Sequence, residues 1–231
     1  MDVLSELRGA VVSGQAKEAA AKAAEGLAAG VSAATLLQDG LIAAMTRVGE
    51  LYEQGDFYVP EMLVAAHAMT EALAVLKPHL VDEGVPAVAT VAIGTVKGDL
   101  HDIGKNLVSM MLEGAGFRVV DLGVDVPAER FVQAARDGAD VVGMSALITT
   151  TMVEMEKNVA AIAAAGLRDR VRIVVGGAPV TQGYAQAIGA DGSAPDASGA
   201  VRLVRTLLGV EPPEEGGEGA GRPQLAPPAR R

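Results

Sequence analysis

Gly98-Asp99-Leu100-His101-Asp102-Ile103-Gly104-Lys105-Asn106 lies between an apolar run, Ala87 to Ile93 (AVATVAI), and a series Ile103, Leu107, Val108, Met111 and Leu112 at helical spacing. The run is short, rich in β-branched residues and closed by Gly94, so it reads as a buried strand; the series reads as one face of a helix. His101 therefore sits at the carboxyl end of a strand, where open α/β sheets bind their ligands. A neutral imidazole binds a transition metal through one nitrogen when an acceptor holds its other N–H. Asp99, two residues away in a tight loop, is placed to be that acceptor. Glycines at 94, 98 and 104 would let a bulky ligand approach the backbone. Taken alone, a loop histidine is more often a polar surface residue than a ligand.

Two further segments bear on that choice. Val141-Val142-Gly143-Met144-Ser145-Ala146-Leu147-Ile148-Thr149-Thr150-Thr151 reads as a buried strand ending in a run of hydroxyls. Arg172-Ile173-Val174-Val175-Gly176-Gly177-Ala178-Pro179 reads as another, ending in two glycines. Strand and helix patterns alternate from 87 to 209, as a parallel sheet requires. Strands are expected near 87–93, 117–121, 140–145, 171–176 and 190–194, and helices near 103–114, 127–137, 152–165, 181–188 and 197–208. The expected fold of this half is an α/β flavodoxin-like (Rossmann-like) doubly wound parallel five-stranded sheet. That order sets the first and third strands side by side, so His101 and the Ser145–Thr151 segment would meet at the topological switch point.

Residues 1–82 carry only helical signals, near 2–13, 15–29, 32–54 and 59–81. Ser32 is placed as an N-cap and Pro60 in a first turn, and the short connections point to an antiparallel four-helix bundle. Residues 83–86 are the expected linker. The tail 210–231 (VEPPEEGGEGAGRPQLAPPARR) is rich in Pro, Gly and charge and is expected to be disordered.

Composition excludes more than it names. The chain has 231 residues, 19 basic and 29 acidic, and a formal net charge of −10. With neither a basic patch nor an aromatic stacking series, no nucleic-acid partner is expected. The start, Met1-Asp2-Val3-Leu4-Ser5-Glu6, lacks a basic region before an apolar core, and no apolar run is uninterrupted for the length of a bilayer, so a cytoplasmic protein with no membrane partner is expected. Cysteine is absent, which removes disulfides, thiolate zinc sites, iron–sulfur clusters and cysteine nucleophiles together. A phosphate-binding P-loop fails at Gly98…Gly104-Lys105, because five residues intervene where the loop has four and Asn106 replaces the magnesium-binding hydroxyl. The dinucleotide fingerprint is missing from the first strand–helix turn.

Asp-x-His-x-x-Gly, Ser-x-Leu and Gly-Gly at the ends of successive strands resemble the cobalamin-binding domain of B12-dependent methyltransferases. The longer stretch Gly98 to Asn106 carries a more specific form of that motif. Val48 to Pro60 (VGELYEQGDFYVP) looks like the helical cap that precedes the domain in the same enzymes, including cobalamin-dependent methionine synthase. Together the two resemblances cover residues 1–209, and the layout is similar to the free-standing corrinoid proteins of methanol, methylamine and aryl methyl ether methyltransferase systems.

The resemblance implies a cobalamin or related corrinoid bound base-off, with His101 as the lower cobalt ligand, Asp99 on its other nitrogen and the Thr151 hydroxyl completing a relay. Gly98, Asp102, Ile103 and Gly104 would belong to the same cofactor-binding loop. Ser145 and Thr149 would contact the buried nucleotide base, Leu147 would line its channel, and Gly176 and Gly177 would leave room for the nucleotide tail. From the helical cap, Tyr58 and Met62 would face the upper side of cobalt, although Met62 on a helical face reads more often as core packing; His67 and His79 read as structural or exposed. The implied role in one-carbon metabolism is a methyl carrier between a substrate-specific methyltransferase and a second methyltransferase acting on a thiol or tetrahydrofolate, kept active by a reductive activation protein. Such a chain is a subunit rather than a complete enzyme. The alternatives are a cobalamin-binding sensor or storage protein and an adenosylcobalamin-dependent isomerase subunit, which normally lacks the cap.

Overall fold

A computed structural model describes residues 2–84 and 87–210. Val85 and Pro86 of the expected linker, and the expected tail beyond Val210, lie outside the described residues. The chain forms two compact units, one built mainly on residues 1–87 and the other mainly on 88–109 and 117–210.

The first unit is helical: α1 (Val3–Val12), α2 (Ala16–Ala28), α3 (Ala33–Thr35), a π-helical segment Leu36–Ile42 leading directly into α4 (Ala43–Gln54), and α5 (Val59–Asp82). Ser32 caps α3, its Oγ accepting the Thr35 N–H at 3.1 Å, and α4 closes on Gly55 in the left-handed conformation. The helix expected over 32–54 is thus present but widened around Gly40, where the missing side chain lets Leu7 pack against the turn. α2 packs on α5, and α1 on α2 and α4.

Among the described residues one helix, over Val59–Leu80, is long and apolar enough by length and composition to cross a membrane, although Glu61, Glu71 and Lys77 interrupt its apolar run. Its pattern is that of a core helix: Met62, Ala65, Ala66, Met69, Ala72 and Leu76 are buried at three- and four-residue intervals, while His67, Glu71 and Lys77 are exposed.

The second unit is an all-parallel sheet of β1 (Thr90–Val96), β2 (Arg118–Val126), β3 (Val141–Ser145), β4 (Arg172–Gly176) and β5 (Gly192–Ser193). Its order, β2-β1-β3-β4-β5, is the expected flavodoxin-like one. The helices are α6 (Ile103–Gly114), α7 (Ala128–Arg136), α8 (Thr149–Ala164), α9 (Gln182–Ala187) and α10 (Ala197–Leu208). Met144, Ile173 and Val175 of the sheet pack with Phe131 of α7 and Met155 and Ile162 of α8 in one buried cluster. β1 joins β3 from Val91↔Val141 to Thr95↔Ser145, which makes their carboxyl ends the switch point.

Three boundaries differ from expectation. β1 continues through Gly94, where a Cβ would stand 3.1 to 3.2 Å from Leu122, Val126 and Phe131. Gly94 is therefore a packing position inside the sheet, not ligand space. β2 runs on to Val126 by shifting register against β1 twice, bent by Gly123 at φ 91° and Asp125 at φ 53°. β3 stops at Ser145, and the hydroxyl run opens α8. Ala146 N–H bonds the Gly176 carbonyl at 3.1 Å and Leu147 N–H bonds Asp99 at 2.8 Å, so the chain leaves the sheet before three β-branched threonines can extend it.

Candidate functional site

The carboxyl ends of β1 and β3 are joined by one carboxylate. Asp99 is almost wholly buried, at 1% exposure, and a buried carboxylate is tolerated only when its lone pairs are met. Its Oδ1 accepts the His101 backbone N–H at 3.0 Å and faces His101 Nδ1 at 2.7 Å. Its Oδ2 accepts the Leu147 N–H and the Thr151 hydroxyl, each at 2.8 Å. Burial pushes the Asp99 carboxyl up, but the bonds from His101, Leu147 and Thr151 outweigh it and hold it well below the usual carboxylate range.

An ionised carboxylate only accepts, so the Asp99 contact fixes the proton of the His101 ring on Nδ1. Nε2 is left with a free lone pair on a side chain that is 55% exposed. Among the described residues no group of three or more His, Cys, Asp or Glu is arranged to hold a metal ion. Nε2 could serve as a single protein ligand to a metal that carries its other ligands with it, as a macrocyclic cofactor does.

Thr95 and Lys105 support the same loop. Thr95, fully buried in β1, donates its hydroxyl to the His101 carbonyl at 2.9 Å. Asp102 opens α6, its carbonyl accepting the Asn106 N–H at 2.7 Å and its Oδ2 the Asn106 side-chain amide at 3.1 Å. Lys105 is buried, and its ammonium meets both Asp121 oxygens and Asn106 Oδ1, each at 2.7 Å. Burial would raise the Asp121 carboxyl; the hydrogen bonds from Lys105 and the Gly123 N–H outweigh it and lower it.

The other expected site residues divide in two. Leu100 and Ile103, flanking His101, are 71% and 81% exposed, and Leu147 is 44% exposed; with exposed Thr149 and half-buried Ser145 they leave apolar and hydroxyl groups open at the switch point. Gly104 and Gly176 have open space where a side chain would stand. Gly177 differs: a Cβ there would lie 1.8 Å from the Ala146 carbonyl oxygen, so the chain's own backbone, not room for a tail, accounts for this glycine. In the helical unit Tyr58 is 67% exposed, whereas Met62 is fully buried and offers no atom to a ligand. Full burial is what the core-packing reading of Met62 entails. Thr95, Asp121 and Asp125 are absent from the residues expected from sequence. Thr95 lies just past the glycine that read as the end of the strand, and the two aspartates lie on a strand outside the motif.

Residues 89–202 match a family model described as a B12 binding domain, and residues 3–77 match a second so described. Trimethylamine corrinoid protein 1 of Methanosarcina acetivorans is 41% identical over 210 residues, covering 90% of this chain and 97% of that one. Dimethylamine corrinoid protein 1 of the same organism is 41% identical over 210 residues, covering 90% and 98%. Among solved structures, a cobalamin-binding protein of Desulfitobacterium hafniense has a TM-score of 0.74 at 30% identity, covering 89% of this chain and 98% of that one. The methanol:cobalamin methyltransferase complex of Methanosarcina barkeri gives 0.79 at 27% identity, covering 88% and 78%. Matched along nearly its whole length by such relatives, the chain belongs to the family of B12-binding corrinoid proteins of methyltransferase systems.

Proposed function

We propose that this chain is a methyl carrier that binds its corrinoid with the cofactor's own base displaced and His101 Nε2 in its place. The observation that carries this reading is the buried Asp99 carboxylate at 2.7 Å from His101 Nδ1, which leaves the opposite ring nitrogen available to a ligand. When bound, the corrinoid supplies a cobalt centre that takes up a methyl group and gives it away. The chain's part is to set the donor strength of the imidazole. Asp99 draws on the Nδ1 proton and enriches Nε2, while Leu147 and Thr151 keep Asp99 ionised. Gly98, Asp102, Ile103 and Gly104 form the loop that receives the cofactor, and Ser145, Leu147, Thr149 and the open side of Gly176 receive its displaced tail.

The carrier would be loaded by a substrate-specific methyltransferase, unloaded by a second one acting on a thiol or tetrahydrofolate, and rescued by a reductive activation protein. The solved methanol:cobalamin methyltransferase complex supports the first of these partnerships. Exposed Tyr58 is the cap residue proposed to face the cofactor. The test is the EPR spectrum of the protein reconstituted with hydroxocobalamin and reduced to Co(II). Nitrogen hyperfine coupling from the protein imidazole, lost in His101→Ala, is expected; coupling from the cofactor's own base, or a spectrum and affinity unchanged in the variant, would overturn the assignment.

A further inference from the structure

β2 carries two carboxylates, Asp121 and Asp125, that reach across to the loop bearing His101. Asp125 has φ 53°, the one non-glycine residue with positive φ among the described residues. Such a backbone persists when its surroundings hold it there. Here two bonds do so: Asp125 Oδ1 accepts the Gly98 N–H at 2.6 Å, and the Asp125 N–H donates to the Asp99 carbonyl at 3.0 Å. One residue thus grips two consecutive residues of the loop, the second of which carries the carboxylate that orients His101. Gly98 is itself at φ 80°, so its amide can be presented to Asp125 without the cost that a side chain would bring there.

The far end of the loop is tied to the same strand. Asp121 takes two bonds from the Lys105 ammonium at 2.7 Å, in the first turn of α6. His101 therefore lies between two attachments, residues 98–99 and residue 105, and both are made by β2. Neither Asp121 nor Asp125, which make the attachments from β2, bonds to the imidazole, so their effect on it is one of placement.

We propose that Asp125 is a positioning residue for His101, fixing the turn at Gly98–Asp99 from which the imidazole is presented to the corrinoid, with Asp121 as its counterpart at the loop's other end. This rests on the reading of His101 as the ligand, but its first test does not need the cofactor. In the full-length chain before corrinoid is added, the Nδ1 proton of His101 is followed by proton–nitrogen NMR in wild type, Asp125→Ala, Asp125→Gly and Asp125→Asn. Wild type should show a protected proton at Nδ1. Alanine and glycine should lose it, and asparagine, which keeps an acceptor and tolerates positive φ, should recover it.

A signal unchanged in the alanine variant, or absent from wild type, overturns the proposal. So does a signal retained in the glycine variant, since glycine accepts the backbone conformation and lacks only the carboxylate. Should the alanine variant fail to fold, the glycine and asparagine variants decide the matter alone. In a second arm, hydroxocobalamin affinity of the glycine variant should fall about 10- to 100-fold, the range for groups that orient a metal ligand, and asparagine should restore it. Wild type binding with the cofactor's own base on cobalt would refute the ligand reading, while the NMR result would still judge Asp125.

Discussion

Asp99 is the residue on which the site turns, because it accepts four donors from two strand ends and from the ring it orients. Asparagine is nearly the same shape yet cannot replace it. Its amide nitrogen would meet either the Leu147 N–H and Thr151 hydroxyl or the His101 N–H groups, donor against donor. Asp99→Asn should therefore weaken corrinoid affinity about 10- to 100-fold, measured by absorbance titration with hydroxocobalamin. Asp121 offers a second test with a defined pH dependence. Its folded carboxyl is lowered, so its contribution is complete above the ordinary carboxylate pKa of about 4. It is lost as pH falls through the depressed folded value. Asp121→Asn should cost about 1 to 3 kcal/mol at pH 7, less than a fully buried pair because Asp121 is half-exposed. The gap between wild-type and variant melting temperatures should shrink below pH 4. His101 and Asp99 were legible in the sequence because both lie within one loop motif. Lys105 stood in the same motif without a role, since its partner Asp121 is on another strand and only the folded chain brings them together.

At the scale of elements, strand and helix order followed from periodicity, and α6 over Ile103–Gly114 begins and ends at its expected residues. The misjudged boundaries share one cause: backbone geometry set by neighbours outweighed local composition. Gly94 read as a stop but packs inside β1, and Thr149–Thr151, which read as a hydroxyl run ahead of a helix starting near 152, already open α8, with Asp99 holding the chain at Leu147. The two glycines after β4 looked alike in sequence and differ in the fold. Gly177→Ala should destabilise the protein by about 2 to 4 kcal/mol, from the collision with the Ala146 carbonyl and a φ of 131° that side chains avoid. Gly176→Ala meets open space and should leave the thermal melt within about 0.5 kcal/mol of wild type while lowering corrinoid affinity. Paired melting and binding curves separate the two, and equal loss of stability in both would refute the distinction.

For the whole molecule, Glu83, the first residue of the expected linker, is tied back to the helices before it. The Glu83 carboxylate accepts the Ala33 and Ala34 N–H groups at 2.8 and 3.0 Å, meeting two donors at the start of α3 while Ser32 meets a third. Glu83 is thus bonded to the helical unit. Glu83→Ala should cost about 1 kcal/mol of helical-unit stability, as the loss of a helix cap does, read as earlier amide exchange over residues 33–36.

The borders of the sheet bear on how readily this chain would pair with its own copies. At one border β5 is only two residues long. At the other, β2 shifts register twice against β1 and exposes Arg118, Asp121 and Asp125, so the bent strand that holds the histidine loop is also a poor template for a strand from another molecule. The irregularity proposed to position His101 thereby also disfavours edge-to-edge aggregation.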